Sequence, residues 1–396
     1  MQSEFAVTAH WRGEFEEAAF QAWARKLRAE LHAPKVSLGL VFMSPKMFPQ
    51  AEQILEILRV DGQIPLLAGC SSNSLITGVH EFEDDGGLVV ALYSLPGAEL
   101  KAFRFTQADL EQGSGRAYWQ HKTGVTPEQT NGWLAFADPF NMDCEAWLGS
   151  WNEAYAPAPI LGGLASGEQT TQQTQLYLNG EVYEEGGVAI SIGGDVKLVG
   201  VISQGCTPIG DTWTLTKVEK NLIQEIGNRP AFEVLAETFG TLTQDEQQAS
   251  RGNLFIGLVM NEYLEEYHRG DFLVRNLIGV DPQSGIIAVG ALPRLGQTIQ
   301  FQRRDAAAAT EDMKALLARA RKQLAGATVY GGCLCSCNGR GQGLFGEPDH
   351  DAKMIQEMLG PVGMSGFFCN GEIGPVGERN FLHGYTASLA LFVKKS

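Results

Sequence analysis

Val36-Ser-Leu-Gly-Leu-Val-Phe42, Ile64-Pro-Leu-Leu-Ala-Gly-Cys70 and Leu88-Val-Val-Ala-Leu-Tyr93 are short apolar runs of the length and composition of buried strands. Between the first two, Ala51, Ile54, Leu55 and Leu58 recur at helical spacing. The second run breaks into the polar loop Ser71-Ser72-Asn73-Ser74, and Glu83-Asp-Asp-Gly-Gly87 turns the chain into the third. The same order returns twice. It is carried first by Trp133–Ala137, a helix near Cys144–Trp151, Pro159-Ile-Leu-Gly-Gly-Leu-Ala-Ser-Gly167, and Val188–Ile192. At the C-terminus it is carried by Thr328–Cys335, a helix marked by Met354, Ile355, Met358 and Leu359, then Gly366–Gly374 and Tyr385–Phe392. Such recurrence argues for duplication. It predicts an α/β (α+β) fold of two domains, built of repeated strand–helix–strand–strand modules with mixed sheets covered by helices. Each copy ends its second strand in a small-residue loop, which places the loops to converge on shared pockets.

Composition narrows the function. The 396 residues carry 46 Asp and Glu against 30 Lys and Arg, a formal charge of −16 that argues against nucleic-acid binding. With 44% hydrophobic and 19% charged residues the chain sustains packed cores, and its length fits two to three domains. It has no apolar run of membrane-spanning length, and its N-terminus lacks the features of a signal peptide, so the expectation is a cytoplasmic protein without membrane insertion. Seven cysteines, an odd number, are expected as reduced thiols. Glu14 to Leu31 reads as an amphipathic helix. The polar stretch Gln244 to Arg251 sets the expected boundary between domains 1–245 and 246–396. Beyond it, Leu254–Val259, Phe272–Val280, Ile286–Val289 and Gly296–Phe301 read as strands, and Asp305 caps a helix reaching about Leu324.

The chemistry-bearing residues are few. Gly339-Arg-Gly-Gln-Gly-Leu-Phe-Gly346 contains G-x-G-x-x-G, but Glu347, Pro348 and Asp349 stand where a dinucleotide fingerprint opens its helix. Cys333, Cys335 and Cys337 alternate along a strand, with Cys369 ending a later strand of the same copy. They lack the C-x₂₋₄-C turn that wraps a tetrahedral ion, so no metal is expected. No G-x-S-x-G, H-E-x-x-H or Walker sequence is present. A non-catalytic protein is expected, with a thiol enzyme using Cys70, Cys206 or Cys337 as the catalytic alternative. His383 sits in an aromatic segment as a structural histidine, His being also the usual haem ligand. Arg340 and Glu372, both flanked by glycines, offer a fork for a carboxylate and an acceptor for an ammonium; the alternative is an Arg–Glu pair holding two loops together.

Ala68-Gly-Cys-Ser-Ser72, Gly162-Gly-Leu-Ala-Ser-Gly167, Val201-Ile-Ser-Gln-Gly-Cys-Thr-Pro-Ile-Gly210 and Lys217-Val-Glu-Lys-Asn221 in the first part of the chain stand out as motifs. So do Asp271-Phe-Leu-Val-Arg275, Gly279-Val-Asp281, Gln300–Asp305, Cys337-Asn-Gly-Arg-Gly341 and Gly366-Phe-Phe-Cys-Asn-Gly-Glu-Ile-Gly374 in the second. In order and spacing they resemble the FIST family, named for F-box proteins and intracellular signal transduction proteins, with N-terminal and C-terminal FIST domains in tandem. The resemblance implies a cytosolic sensory protein that binds a small ligand, amino acids or related metabolites among the candidates, and signals to a separate protein. Carried over motif by motif, it points to Cys70, Ser71, Gly163, Ser166, Ser203, Gln204, Arg340, Asn370 and Glu372 as ligand-binding residues. It also carries two alternatives, a haem-binding nitric-oxide sensor and a protein-interaction scaffold like the F-box-linked members, although no F-box fits ahead of the FIST-like region. Lys220 and the added thiols Cys333 and Cys335 depart from the family pattern.

Overall fold

A computed structural model of the chain describes residues 4–84, 86–113, 115–168, 170–250 and 252–395. They form two compact units that interleave along the sequence. One comprises Met1–Ile202, Lys314–Leu382 and Thr386–Ser396, the other Ser203–Met313 and His383–Tyr385. One cut at 245 to 246 therefore does not separate them, because the chain leaves the first unit after Ile202, returns at Lys314, and enters the second unit again at His383–Tyr385. The polar stretch read as a boundary is itself helical, Gln244–Ser250, and its last residue, Arg251, lies outside the described residues.

In the first unit, each expected copy supplies two parallel strands joined through a helix. Leu38–Met43 pairs with Leu67–Ser71, Trp133–Ala137 with Ile160–Leu164, and Val329–Cys337 with Met364–Cys369. The third expected strand of each copy, Leu88–Tyr93, Gly187–Gly194 or Thr386–Lys394, returns antiparallel to the first. Each second strand carries a glycine opposite the middle of its parallel partner. A Cβ at Gly69 would lie inside the van der Waals shell of the Val41 carbonyl, and Gly162 and Gly366 stand in the same relation to Ala135 and Leu334.

Three hairpins then pass between the copies. Leu75–Thr77 and His80–Phe82 of the first copy attach to Met364–Cys369 of the third. Glu372–Val376 and Arg379–His383 of the third attach to Ile160–Leu164 of the second, and Leu176–Leu178 with Glu181–Tyr183 of the second attaches to Leu67–Ser71 of the first. An edge strand completes each sheet: Ala6–Trp11, Ala98–Phe105 and Val196–Gln204. The result is three six-stranded mixed sheets with one connection diagram. Their inner faces share one core, in which Phe42, Phe136 and Phe367, one from each sheet, meet with ring centroids 4.7 to 5.7 Å apart. Helices Glu17–Glu30 and Ala51–Val60 cover the outer face of the first sheet through Phe20, Leu27, Ile54 and Leu58. Gly115–Thr123 and Cys144–Tyr155 cover the second, with Trp119, Trp133 and Trp147 around Trp151.

The second unit is antiparallel. Its order is Cys206–Glu219, Thr298–Arg304, Leu254–Val259, Phe272–Asp281, Ile286–Val289, Leu222–Ile226, Arg229–Pro230. The long strand Cys206–Glu219 pairs at its start with Thr298–Arg304 and at its end with Leu222–Ile226, so the ladder closes on itself. Asp305 caps the helix Ala306–Gln323, its Oδ1 accepting from Ala308 N at 3.0 Å.

Candidate functional site

The small-residue loops converge, and at their centre they make a hydrogen-bonded junction. Ser71 Oγ donates to Ser166 O at 2.8 Å and accepts from Gln175 N at 2.9 Å. Ser166 Oγ donates to Phe368 O at 2.7 Å, and Ser72 Oγ donates to the same carbonyl at 2.8 Å. These hydroxyls satisfy carbonyls and amides that strand ends leave without ladder partners, which buried backbone groups require. Cys70 is fully buried; burial and the neighbouring Cys333 push its thiol well above the usual range, away from the reactive thiolate. Gly163 lies at the same junction, close to Cys335 and Cys369. Ser203 and Gln204 belong to the second unit. There Ser203 Oγ and Gln204 N both donate to Asp312 Oδ2, at 2.9 and 3.0 Å, and Gln204 Nε2 donates to Phe272 O at 2.8 Å.

The remaining three predicted residues stand together in the third copy. Strand Val329–Cys337 ends in a tight turn in which Arg340 N donates to Cys337 O at 2.8 Å, sending the guanidinium inward. Its Nε and Nη2 fork onto Asp351 at 2.7 and 2.9 Å, with both side chains buried. Asp351 opens the helix His350–Leu359, where the helix dipole favours an anion, and it also meets His350 Nδ1 at 3.0 Å. Phe345 covers the pair: its ring stacks on His350 at 3.5 Å and lies 5.2 Å from Arg340 Cζ. The ion-pair partner of Arg340 is thus Asp351 rather than Glu372. Burial pushes the Asp351 carboxyl up, but Arg340 and His350 outweigh it and hold the group well below the usual range.

Glu372, fully buried, accepts from Thr386 N at 3.0 Å and from Cys369 Sγ at 3.1 Å. Burial pushes it up to about 8, against the opposing pull of those donors and of Arg340. Glu81, from the hairpin of the first copy, accepts from Ala352 N at 2.9 Å; burial and then the charge of Asp351 also push it up to about 8. Among the described residues, two polar atoms of this cluster have no hydrogen-bond partner: Arg340 Nη1 and Glu81 Oε2. Asn370 stands at the surface above, its Nδ2 donating to Ala165 O at 3.0 Å and its Oδ1 accepting from Asn338 at 2.8 Å. The sequence reading missed Asp351, His350 and Glu81. No local spacing signals them, because Glu81 reaches Ala352 across 271 positions.

The C-terminal domain model FIST C matches residues 231–375, and the FIST N model matches residues 37–229. The chain belongs to the FIST family. FIST domains are in general sensory domains of signal transduction. Two uncharacterized Mycobacterium tuberculosis proteins illustrate the kinship, one 36% identical over 380 residues, covering 96% of this chain and 97% of its own. The other is 36% identical over 377 residues, covering 95% of each chain. Among solved structures, PurL of T. maritima complexed with ATP aligns over 99% of this FIST protein and 71% of its own chain at 12% identity, with a TM-score of 0.21, too slight a likeness to carry an argument. Among the described residues no group of three or more His, Cys, Asp or Glu is arranged to hold a metal ion, and no helix is long and apolar enough to cross a membrane. His383 is buried, 3% exposed.

Proposed function

We propose that this FIST protein is a sensory module whose ligand is a small metabolite bearing a carboxylate, amino acids and their relatives being the class, recognised through Arg340 with Glu372 and Asn370. One observation carries the reading: Arg340 is buried with one guanidinium nitrogen left without a partner. A buried donor without an acceptor costs about 1–3 kcal/mol, more when charged, and an incoming carboxylate relieves that cost. A neighbouring carboxyl that titrates near 8 supplies an acceptor for an ammonium or, when protonated, a donor for a second oxygen. With no catalytic constellation in the cluster, the output passes to a separate protein. The shared connection diagram of the three sheets supports an origin by duplication, with the ionic cluster specialised in the third copy.

The test is to purify the protein from a rich medium, record its ultraviolet–visible spectrum, denature it, and identify released small molecules by mass spectrometry. A colourless protein releasing near one equivalent of a carboxylate metabolite, with release abolished in Arg340→Gln, is the expected outcome. A Soret band would replace this reading with a haem sensor, and an empty protein that no amino acid stabilises against heat would leave the scaffold role.

A further inference from the structure

Cys337 and Cys369 are register partners on adjacent parallel strands. Paired positions on neighbouring strands present their side chains on the same face, about 4.8 Å apart at the backbone, inside the Cα range that a disulfide spans. The two thiols differ in access. Cys337 is half-buried beside the exposed Asn338, whereas Cys369 and the other five cysteines are buried. Gly339 N donates to Cys337 Sγ at 3.4 Å, and the Arg340 guanidinium interacts electrostatically with the same sulfur. The Glu372 carboxyl is within hydrogen-bond reach of both thiols.

We infer that Cys337 is an oxidant-sensitive modification site, with Cys369 as its resolving thiol. The oxidant is a hydroperoxide. In the first step Cys337 sulfur attacks one peroxide oxygen, an S–O bond forms as the O–O bond breaks, and the leaving hydroxide takes a proton to become water. The sulfur loses two electrons and becomes a sulfenic acid. In the second step Cys369 sulfur attacks Cys337 sulfur, the S–S bond forms, the S–O bond breaks, and a second water leaves. With hydrogen peroxide, two thiols and one peroxide yield one disulfide and two waters, the thiol protons ending on the waters. The disulfide removes the donor that Cys369 gives to Glu372, so oxidation alters the cluster beside Arg340. The inference stands apart from the ligand reading, since it concerns only the chain's own sulfurs.

The experiment uses the full reduced chain. Native protein is pulsed with iodoacetamide, and separately with one equivalent of hydrogen peroxide with and without dimedone, and mapped by peptide mass spectrometry. Cys337 should be alkylated about tenfold faster than any other cysteine. Peroxide should join the peptides holding Cys337 and Cys369, and Cys369→Ser should instead accumulate the dimedone adduct of Cys337. Equal alkylation of all seven thiols in the wild-type protein, or peroxide-treated wild type carrying dimedone on Cys337 without the cross-link, overturns the inference; neither result depends on a variant folding.

Discussion

Asp351 faces a buried guanidinium at 2.7 Å, and neither group has water to turn to if the other is removed. Breaking such a pair from one side costs about 3–5 kcal/mol, whereas replacing both partners with apolar groups costs far less. Asp351→Asn should therefore lower the free energy of urea unfolding by that amount, and Asp351→Leu combined with Arg340→Met should recover most of it. An additive double variant would show that the pair does not act as a unit. The pH dependence follows from the same cluster. Glu81 and Glu372 are protonated in the folded chain up to about 8, above their ordinary value of 4.5, so the folded state holds extra protons across that window. The contribution is present in full below about 4.5 and is lost as pH rises through 8, at up to about 1.4 kcal/mol per pH unit for each group. Asp351, held low, acts oppositely: its contribution is present above 3.8 and disappears as pH falls through its folded value. Glu372→Gln should flatten the decline between pH 5.5 and 8 in denaturant midpoints; an unchanged slope would remove Glu372 as its source. Arg340 and Glu372 were legible as charges among glycines. Asp351 was not, since nothing in a helix start announces which distant loop its carboxylate meets.

Gly69, Gly162 and Gly366 show why the second strands read so plainly: each is the one residue without a Cβ at the position where the parallel partner's carbonyl comes closest. Gly69→Val should prevent the pairing of Leu67–Ser71 with Leu38–Met43 and yield insoluble or molten protein, read by loss of the near-ultraviolet signal of the buried tryptophans. Ser166→Ala should be milder. It removes the donor to Phe368 O and the acceptor for Asn73 N, for a loss of about 1–3 kcal/mol in the same unfolding assay. Leu88–Tyr93 and Trp133–Ala137 were readable to the residue because they are buried on both faces. Ala6–Trp11 was not, because an edge strand with only its first two residues buried carries no continuous apolar run. The short hairpins were not read as strands, and their destination was invisible: three residues of strand encode no partner.

Across the first unit, the exchange of hairpins makes no sheet complete without a strand from another copy. The three sheets should accordingly open together. Amides of Val41, Ala135 and Leu334, at the same place in each sheet, should exchange with one common free energy, measurable by hydrogen exchange, and values differing by more than about 1 kcal/mol would mean that the copies open separately. Periodicity, glycine placement and the order of motifs were enough to point to an α/β fold and to the FIST family, because these are local properties written close to each strand. Which copy lends its hairpin to which sheet, where the chain leaves the first unit, and that Arg340 is neutralised by Asp351 beneath Phe345 depended on the assembled molecule. Those choices are made by burial and charge compensation between residues far apart in the chain, and such contacts leave no spacing behind to read.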